Sequence, residues 1–217
     1  MRINVIGDSH VVLFNGGNSF NPMERPDPTD TLKHFRTYHL APIQAYMIGV
    51  SEENTFKDEV FKILETLDKK DPLLFVMGEI DCRTYILKKH IKGMLSLEEA
   101  VAQHIQLYLK GIGDILDKGF SITLWSPTPI REYSDSPIFC YSHIEDCQRS
   151  TMEFNKQLII SSPVPVISIT DKVFELLKEE GNKKYFLDWC HLRSEVALTL
   201  AKEQFQSLFG INPLEVK

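Results

Sequence analysis

The sequence predicts an α/β fold with a parallel sheet at its centre. Short apolar runs alternate with helical stretches along a chain of 217 residues. Each run is apolar throughout instead of at every second position, which is typical of strands covered on both faces, as in a parallel sheet. Hydrophobic residues make up 43% of the chain and charged residues 25%, values typical of globular proteins. The length fits a single domain over residues 1–217.

Four apolar runs are predicted strands, and a fifth run is a candidate. The four cover residues 3–6, 73–77, 121–125 and 164–169, and the candidate covers 44–48. Glycine, proline or polar residues follow these runs, as expected where strands end. The sequence therefore predicts a central sheet of about five strands.

The stretches between these runs predict helices. Apolar side chains recur at helical spacing over residues 56–67 and 97–116. A shorter helix is predicted over 152–160 and a further one over 193–209, with Ser194 as the N-cap of the last one. The alternation of strand and helix predicts a doubly wound α/β sheet.

Two loops are candidates for the walls of a ligand pocket. Residues 14–30 are rich in Asn, Gly and Pro, and residues 127–143 contain several Pro and Ser. Both follow predicted strand ends, and ligands bind along the carboxyl edge of open α/β sheets. Ordinary surface loops are the alternative interpretation.

Charge and hydropathy argue against two classes of partner. The chain carries 24 Lys and Arg against 30 Asp and Glu, a net charge of −6, without a basic run, so no nucleic-acid partner is expected. No stretch approaches the roughly 20 apolar residues of a membrane helix. Gly7 ends the first apolar run too early for a signal peptide. We therefore expect a cytoplasmic protein without a membrane partner, and the sequence makes no prediction of oligomeric state.

The cysteines are expected to be thiols in that compartment. They are Cys82, Cys140, Cys147 and Cys190. Cys140 and Cys147 flank His143 at a spacing that suggests metal ligands, but zinc sites usually need a second pair, and the sequence has none. The sequence therefore predicts no metal and no cofactor.

A serine and an Asp-x-x-His run stand at opposite ends of the chain. Ser9 follows the first predicted strand, and Asp188 and His191 lie three residues apart near the other end. Serine becomes a good nucleophile when a histidine takes its proton and a carboxylate orients that histidine. Taken singly, Ser9 is typical of a turn and His191 of a helix cap. Together they predict a nucleophile, its base and the orienting acid.

Three short runs resemble the motifs of the SGNH/GDSL hydrolase superfamily. They are Gly-Asp-Ser at 7–9, Gly-x-x-Asp at 78–81 and Asp-x-x-His at 188–191, in the family's order and across nearly the whole chain. The resemblance implies a flavodoxin-like three-layer sandwich. It also implies a metal-free esterase, lipase, thioesterase or carbohydrate O-deacetylase. Ser9 would be the nucleophile, His191 the base and Asp188 the orienting acid.

The middle motif departs from the family pattern. The family has Gly-x-Asn-Asp, in which the Asn amide donates to the oxyanion, whereas this chain has Ile80 at the Asn position. Loss of one such donor costs about a hundredfold or more in rate. The run Gly-Glu-Ile-Asp-Cys-Arg at 78–83 also resembles a subgroup associated with bacterial polysaccharide gene clusters.

Three interpretations of Ile80 stay open. The guanidinium of Arg83 could supply the missing donor. Backbone N–H groups of Ser9 and a glycine could hold the oxyanion instead; Gly49 is the preferred glycine, with Gly16 and Gly17 as rivals. The protein could also bind ligands without catalysis.

The remaining charged residues of the middle motif are further candidates for the site. Glu79, Asp81 and Arg83 follow a predicted strand, and we expect them at the same sheet edge as Ser9. They are therefore candidate oxyanion or substrate-binding residues. An Asp81–Arg83 ion pair that braces the loop is the structural alternative.

A metal-dependent alternative starts from the run Asp8-Ser9-His10. Metallophosphoesterases begin with an Asp-x-His run whose side chains bind one of two metal ions. Their remaining ligand motifs are missing here; for example, Asn182 is followed by Lys183 and not by His. This alternative is therefore remote.

The sequence thus predicts a serine esterase that forms an acyl-enzyme on Ser9. Its expected partner is a small-molecule or carbohydrate ester, with an O-acetyl group of a carbohydrate as the favoured substrate. An acyltransferase and a non-catalytic binding protein on the same fold are the alternatives.

Overall fold

The computed structural model describes residues 1–17, 24–40, 42–52, 54–131 and 143–217. Within these ranges, five parallel strands form one sheet in the order β2-β1-β3-β4-β5. The strands are β1 (Ile3–Gly7), β2 (Phe35–His39), β3 (Leu73–Val76), β4 (Ile122–Trp125) and β5 (Val166–Ile167). This is the flavodoxin-like strand order, so the predicted α/β fold class is confirmed.

Helices cover both faces of the sheet. They are α1 (Val12–Asn15), α2 (Thr55–Glu65), α3 (Leu87–Ile91), α4 (Leu97–Leu116), α5 (Ile144–Ser161), α6 (Thr170–Leu177) and α7 (Ser194–Phe209). One core contains Phe75 of β3 with Tyr108 of α4, and the other contains Trp125 of β4 with Phe14 and Phe205. Because successive strand residues point to opposite faces, the continuous apolar runs fill both cores.

Two of the predicted helices match the structure closely. The predicted helix 97–116 has the observed bounds, and a capping box in which Ser96 and Glu99 bond each other's backbone fixes its start. The last helix begins at Ser194, which places Arg193 and not Ser194 at the N-cap. The hydroxyl of Ser194 donates instead to the carbonyl of Leu13, 2.6 Å away.

The second strand differs from the prediction. The apolar run 44–48 is not a strand: Ala45–Gly49 forms a 3₁₀ turn, and the second strand is Phe35–His39. The turn is apolar because it packs against α4, where a Cβ on Gly49 would come within 1.7 Å of the Leu107 carbonyl oxygen. The strand mixes polar and apolar residues, which matches its place at the edge of the sheet.

The third helix of the prediction is too short. The observed α5 begins at Ile144, eight residues before the predicted start at Met152. Its first two turns are mostly polar and resemble a loop in sequence, but Cys147 and Thr151 are buried there. Burial of a few side chains is enough to continue the helix against the sheet.

The expectation of four thiols is wrong at one position. Cys82 and Cys190 are free and buried, whereas Cys147 is disulfide-bonded. Cys140 lies outside the described residues. Among the helices that the structure describes, none is both long enough and apolar enough to span a bilayer.

Candidate active site

The carboxyl end of β1 delivers Ser9 to the edge of the sheet. Gly7 ends the strand opposite Val76 of β3, and a Cβ on Gly7 would come within 2.0 Å of the Val76 carbonyl oxygen. Only glycine allows this approach of the two strands. Ser9 then begins a 3₁₀ turn, and the buried Asp8 caps that turn by accepting from the N–H of His10 at 2.9 Å. Ser9 itself stays half-buried.

The two ends of the chain meet at this edge. The Oγ atom of Ser9 lies 2.7 Å from Nε2 of His191. The other ring nitrogen of His191, Nδ1, lies 2.7 Å from Oδ2 of Asp188. The structure therefore places Ser9, His191 and Asp188 in a continuous hydrogen-bonded chain, the arrangement that activates a serine for attack on a carbonyl.

The second carboxylate oxygen of Asp188 holds the turn that carries the histidine. Oδ1 accepts from the backbone N–H groups of Cys190 and His191, each at 2.8 Å. Partial burial by itself would raise the pKa of Asp188, but the hydrogen bonds and the charge of His191, with those two N–H groups, hold the pKa well below its usual range. Asp188 is therefore an anion that fixes both the backbone and the imidazole of His191.

A second histidine and its carboxylate stand beside the first pair. The ring centroids of His10 and His191 are 4.6 Å apart, and Nδ1 of His10 lies 3.1 Å from Oδ1 of Asp8. Nε2 of His10 lies 3.3 Å from the carbonyl oxygen of Cys190. Burial alone would lower the pKa of His10, but the charge and hydrogen bond of Asp8 outweigh burial and raise it. His10 thus links the serine turn to the histidine turn.

Cys190 turns its sulfur toward the histidine that follows it. Sγ lies 3.3 Å from Nδ1 and 3.9 Å from Nε2 of His191. Adjacent side chains usually point apart, but these two lie side by side in the turn at residues 188–191. Burial, with the nearby charges of Glu79 and Asp188, raises the pKa of the Cys190 thiol well above its usual value. A neutral thiol of this kind is a poor nucleophile.

Within the middle motif, Glu79 and Arg83 pair with each other. Nε of Arg83 donates to Glu79 at 2.9 Å, and Glu79 is almost fully buried. The guanidinium also lies over the ring of Trp189, 5.1 Å from its centroid. Arg83 therefore connects the middle motif to the turn that carries the histidine.

The carboxylate of Asp81 has partners other than Arg83 among the described residues, so the structural alternative of an Asp81–Arg83 ion pair does not form there. The carboxylate accepts from the backbone N–H of Ala45 at 2.7 Å and lies 3.0 Å from Nδ1 of His104. Both Asp81 and His104 are buried. Asp81 thus caps the 3₁₀ turn Ala45–Gly49 from within the protein.

The two positions tied to the oxyanion question, Ile80 and Gly49, are both buried. Ile80 is buried, with 7% of its surface exposed, and it stands at the start of a π-helical turn, Asp81–Ile86. Gly49 packs tightly against α4, as described above, and its expected part as an oxyanion donor stays a prediction. The N–H of Ser9 has no acceptor within the described part of the chain, which leaves it available to a ligand.

The predicted pocket loops are described only in part. Residues 18–23 of the first loop and 132–142 of the second lie outside the described residues. In the described part of the first loop, the buried Asp30 accepts from the backbone and the hydroxyl of Thr37, at 2.8 and 2.6 Å. That loop is therefore anchored to β2.

One cluster of side chains in the described ranges has the composition of a metal site. His10, Cys190 and His191 are all buried, and one ligand atom from each lies within 4.8 Å of the other two. The expected meeting of Ser9 and His191 also brings His10 to this place, but the sequence does not show that the Cys190 thiol turns toward the imidazole of His191.

The fold is shared with solved structures of esterases. An acetylxylan esterase from Geobacillus stearothermophilus is 12% identical with a TM-score of 0.52, and the alignment covers 96% of this chain and 94% of that one. The aryl esterase of M. smegmatis is 14% identical with a TM-score of 0.50, covering 96% and 99%. Another acetyl xylan esterase is 13% identical with a TM-score of 0.52, covering 96% and 100%.

A further structure of the Geobacillus esterase carries a serine-to-alanine replacement and is described as a catalytic mutant. A scan against protein-family models finds no match, and a search of curated proteins finds none. The structural neighbours therefore place the chain in an α/β fold used by esterases.

Proposed function

We propose that this protein is an SGNH-type serine esterase with Ser9 as its nucleophile. The observation that carries the proposal is the 2.7 Å contact between Oγ of Ser9 and Nε2 of His191, with Asp188 on the opposite ring nitrogen. This contact joins two motifs separated by 182 positions in the chain. A turn serine and a capping histidine have no structural need to meet in this way.

The geometry supports a two-step reaction. Oγ of Ser9 attacks the ester carbonyl carbon while Nε2 of His191 takes the hydroxyl proton. The alcohol leaves with that proton, and an acyl-enzyme remains on Ser9. His191 then takes a proton from water, the hydroxide attacks the acyl carbon, and the acid is released as Ser9 recovers its proton. Asp188 stabilises the imidazolium in both steps.

Three groups are candidates to hold the oxyanion. The N–H of Ser9 stands at the start of a turn and bonds no protein group in the described ranges. Arg83 reaches the turn of the catalytic histidine through Trp189 and is held by Glu79. Gly49 stays the third candidate from the sequence. Donors of this kind act where charge develops in the transition state.

We favour a short acyl ester of a carbohydrate as the substrate. Support comes from acetylxylan esterases among the structural neighbours, whose names specify an acetylated polysaccharide. A cytoplasmic location stays a prediction, and the disulfide at Cys147 argues against it, since such bonds persist in oxidising compartments.

A non-catalytic binding protein is the second candidate, and the apolar Ile80 is the observation that favours it. Labelling with a fluorophosphonate and hydrolysis of an aryl acetate separate the two. We expect labelling and turnover in the wild type and neither in Ser9→Ala. The matched control is Ser207→Ala, at an exposed serine on α7, which keeps both. Wild-type protein that is folded, unlabelled and inactive would overturn the esterase proposal.

A further inference from the structure

We propose that His10, Cys190 and His191 form a binding site for a thiophilic divalent cation such as Zn²⁺, and that the bound cation inhibits the enzyme. The inhibition rests on the proposed esterase function, whereas the binding does not. The ligand set is two imidazoles and one thiolate, which zinc binds readily.

The three ligand atoms already stand close to the positions that zinc needs. Zn–N bonds of about 2.0 Å and Zn–S bonds of about 2.3 Å, in a tetrahedron, place ligand atoms roughly 3.5 Å apart. In the structure, Sγ of Cys190 is 3.9 Å from Nε2 and 3.3 Å from Nδ1 of His191, and one ligand atom from each of the three residues lies within 4.8 Å of the other two. Binding at Nε2 of His191 also requires the Ser9 hydroxyl, now 2.7 Å from that nitrogen, to move aside.

Carboxylates already orient both imidazoles for metal binding. Asp8 is bonded to Nδ1 of His10 at 3.1 Å, and Asp188 to Nδ1 of His191 at 2.7 Å. In each ring the carboxylate engages Nδ1, so that Nε2 is the nitrogen presented to a cation. Metal-ligating histidines almost always have such a partner on the second nitrogen, which fixes the ring and raises its basicity.

Binding exchanges protons for the cation without any other reactant. The Cys190 S–H bond breaks and the thiolate binds the metal, while its proton passes to solvent. Nε2 of His10 releases the proton it directs to the Cys190 carbonyl, where the two atoms are 3.3 Å apart, and its lone pair binds the metal. Nε2 of His191 contributes its lone pair and loses its contact with Ser9.

Inhibition follows because Nε2 of His191 is needed both for proton transfer from Ser9 and for binding of the cation. Nε2 of His191 takes the proton of Ser9 in the esterase reaction and would be a ligand in the metal-bound form. A nitrogen whose lone pair is bound to zinc accepts no proton, so the serine is not activated. The site is therefore a switch in which cation and substrate turnover exclude each other.

Binding is tested directly on the full chain after removal of metals with a chelator. Zn²⁺ is titrated against a chromogenic chelator, and Co²⁺ serves as a spectroscopic probe. We expect one ion per chain and, with Co²⁺, a thiolate-to-cobalt charge-transfer band. Cys190→Ser and His10→Gln should each weaken zinc binding by at least a hundredfold, and the cobalt band should vanish in Cys190→Ser. Asp8→Asn should weaken zinc binding 10- to 100-fold.

Activity and binding are separated by one further variant. Ser9→Ala removes the proposed nucleophile but no metal ligand, so it should bind Zn²⁺ as the wild type does while having no turnover to inhibit. For variants that hydrolyse an aryl acetate, inhibition is scored against each variant's own metal-free rate. The metal proposal is overturned if the wild type binds no zinc, or if Cys190→Ser and His10→Gln bind it unchanged. Zinc binding by a chain without esterase activity would overturn the proposed function and leave the metal site in place.

Discussion

Replacement of Asp188 by asparagine tests how the charge of Asp188 and the position of the ring proton on His191 contribute to catalysis. Oδ1 of Asp188 accepts from two backbone N–H groups at 2.8 Å, and an amide nitrogen cannot accept them. The asparagine oxygen must therefore stay on those two groups, which turns its NH₂ toward Nδ1 of His191. Nδ1 then has to accept, so the ring proton moves to Nε2, and the base that faces Ser9 is lost.

The expected cost is about 10⁴-fold in kcat, the effect of the wrong histidine tautomer in a serine triad. That loss corresponds to about 5.5 kcal/mol of activation free energy, at about 1.4 kcal/mol for each factor of ten. The asparagine keeps both backbone hydrogen bonds but without the charge that holds the pKa of Asp188 low, so its loss in free energy of unfolding should be smaller than that of a variant without these acceptors.

Asp188→Ala is the matched variant, because it removes the two backbone acceptors as well. We expect it to lose a similar factor in kcat and in addition about 2 kcal/mol of stability, since two N–H groups lose their acceptor. Rates are measured with an aryl acetate and stability with urea. An Asp188→Asn enzyme that retains more than a tenth of the wild-type kcat would refute the assigned roles of Asp188 and His191.

The other predictions concern the oxyanion, the packing and the pH dependence. Arg83→Gln should lower kcat about a hundredfold if its guanidinium faces the oxyanion; an unchanged kcat would assign the oxyanion to backbone donors. Gly49→Ala should destabilise the protein by about 3 kcal/mol, since its Cβ would meet the Leu107 carbonyl oxygen at 1.7 Å. Gly113→Ala, on the same helix α4 with no atom within 4 Å of the new Cβ, should instead stabilise it by about 0.5–1 kcal/mol in urea melts. Burial lowers the pKa of His39 below its ordinary 6.5, despite the opposing charge of Asp8. His39 then contributes stability above pH 6.5 that is lost as the pH falls through its folded pKa, and His39→Asn should flatten that part of a stability–pH profile.

The sequence predicted the secondary structure well where local sequence signals agree. The helix over 97–116 has the predicted bounds because the capping box at Ser96 and the apolar spacing agree. The second strand was missed because apolarity alone does not separate a strand from a buried turn. The run 44–48 is apolar to pack against α4, and the true strand at the sheet edge carries charged and polar residues.

At the candidate site, the sequence indicated which residues meet but not the direction in which their side chains point. The meeting of Ser9, Asp188 and His191 could be predicted because the α/β fold brings the ends of its strands to one edge. The partners of Asp81 could not, since its carboxylate binds Ala45 and His104, which carry no motif. The direction of a side chain within a turn is set by tertiary contacts. The sequence therefore did not show that the thiol of Cys190 faces the imidazole of His191.

The middle motif contacts the turn of His191 although it has Ile80 at its third position. Its polar residues all have protein partners: Glu79 binds Arg83, Arg83 lies over Trp189, and Asp81 caps the turn at residues 45–49. The motif thus braces the turn of the catalytic histidine, while the position of the family's asparagine is apolar and buried. Oxyanion stabilisation would then fall mainly on the N–H of Ser9, whose direction is fixed by the Asp8 cap of its own turn. An enzyme with fewer oxyanion donors should be slower on unactivated esters than on aryl acetates, because a poor leaving group makes the reaction depend more on charge stabilisation at the carbonyl oxygen.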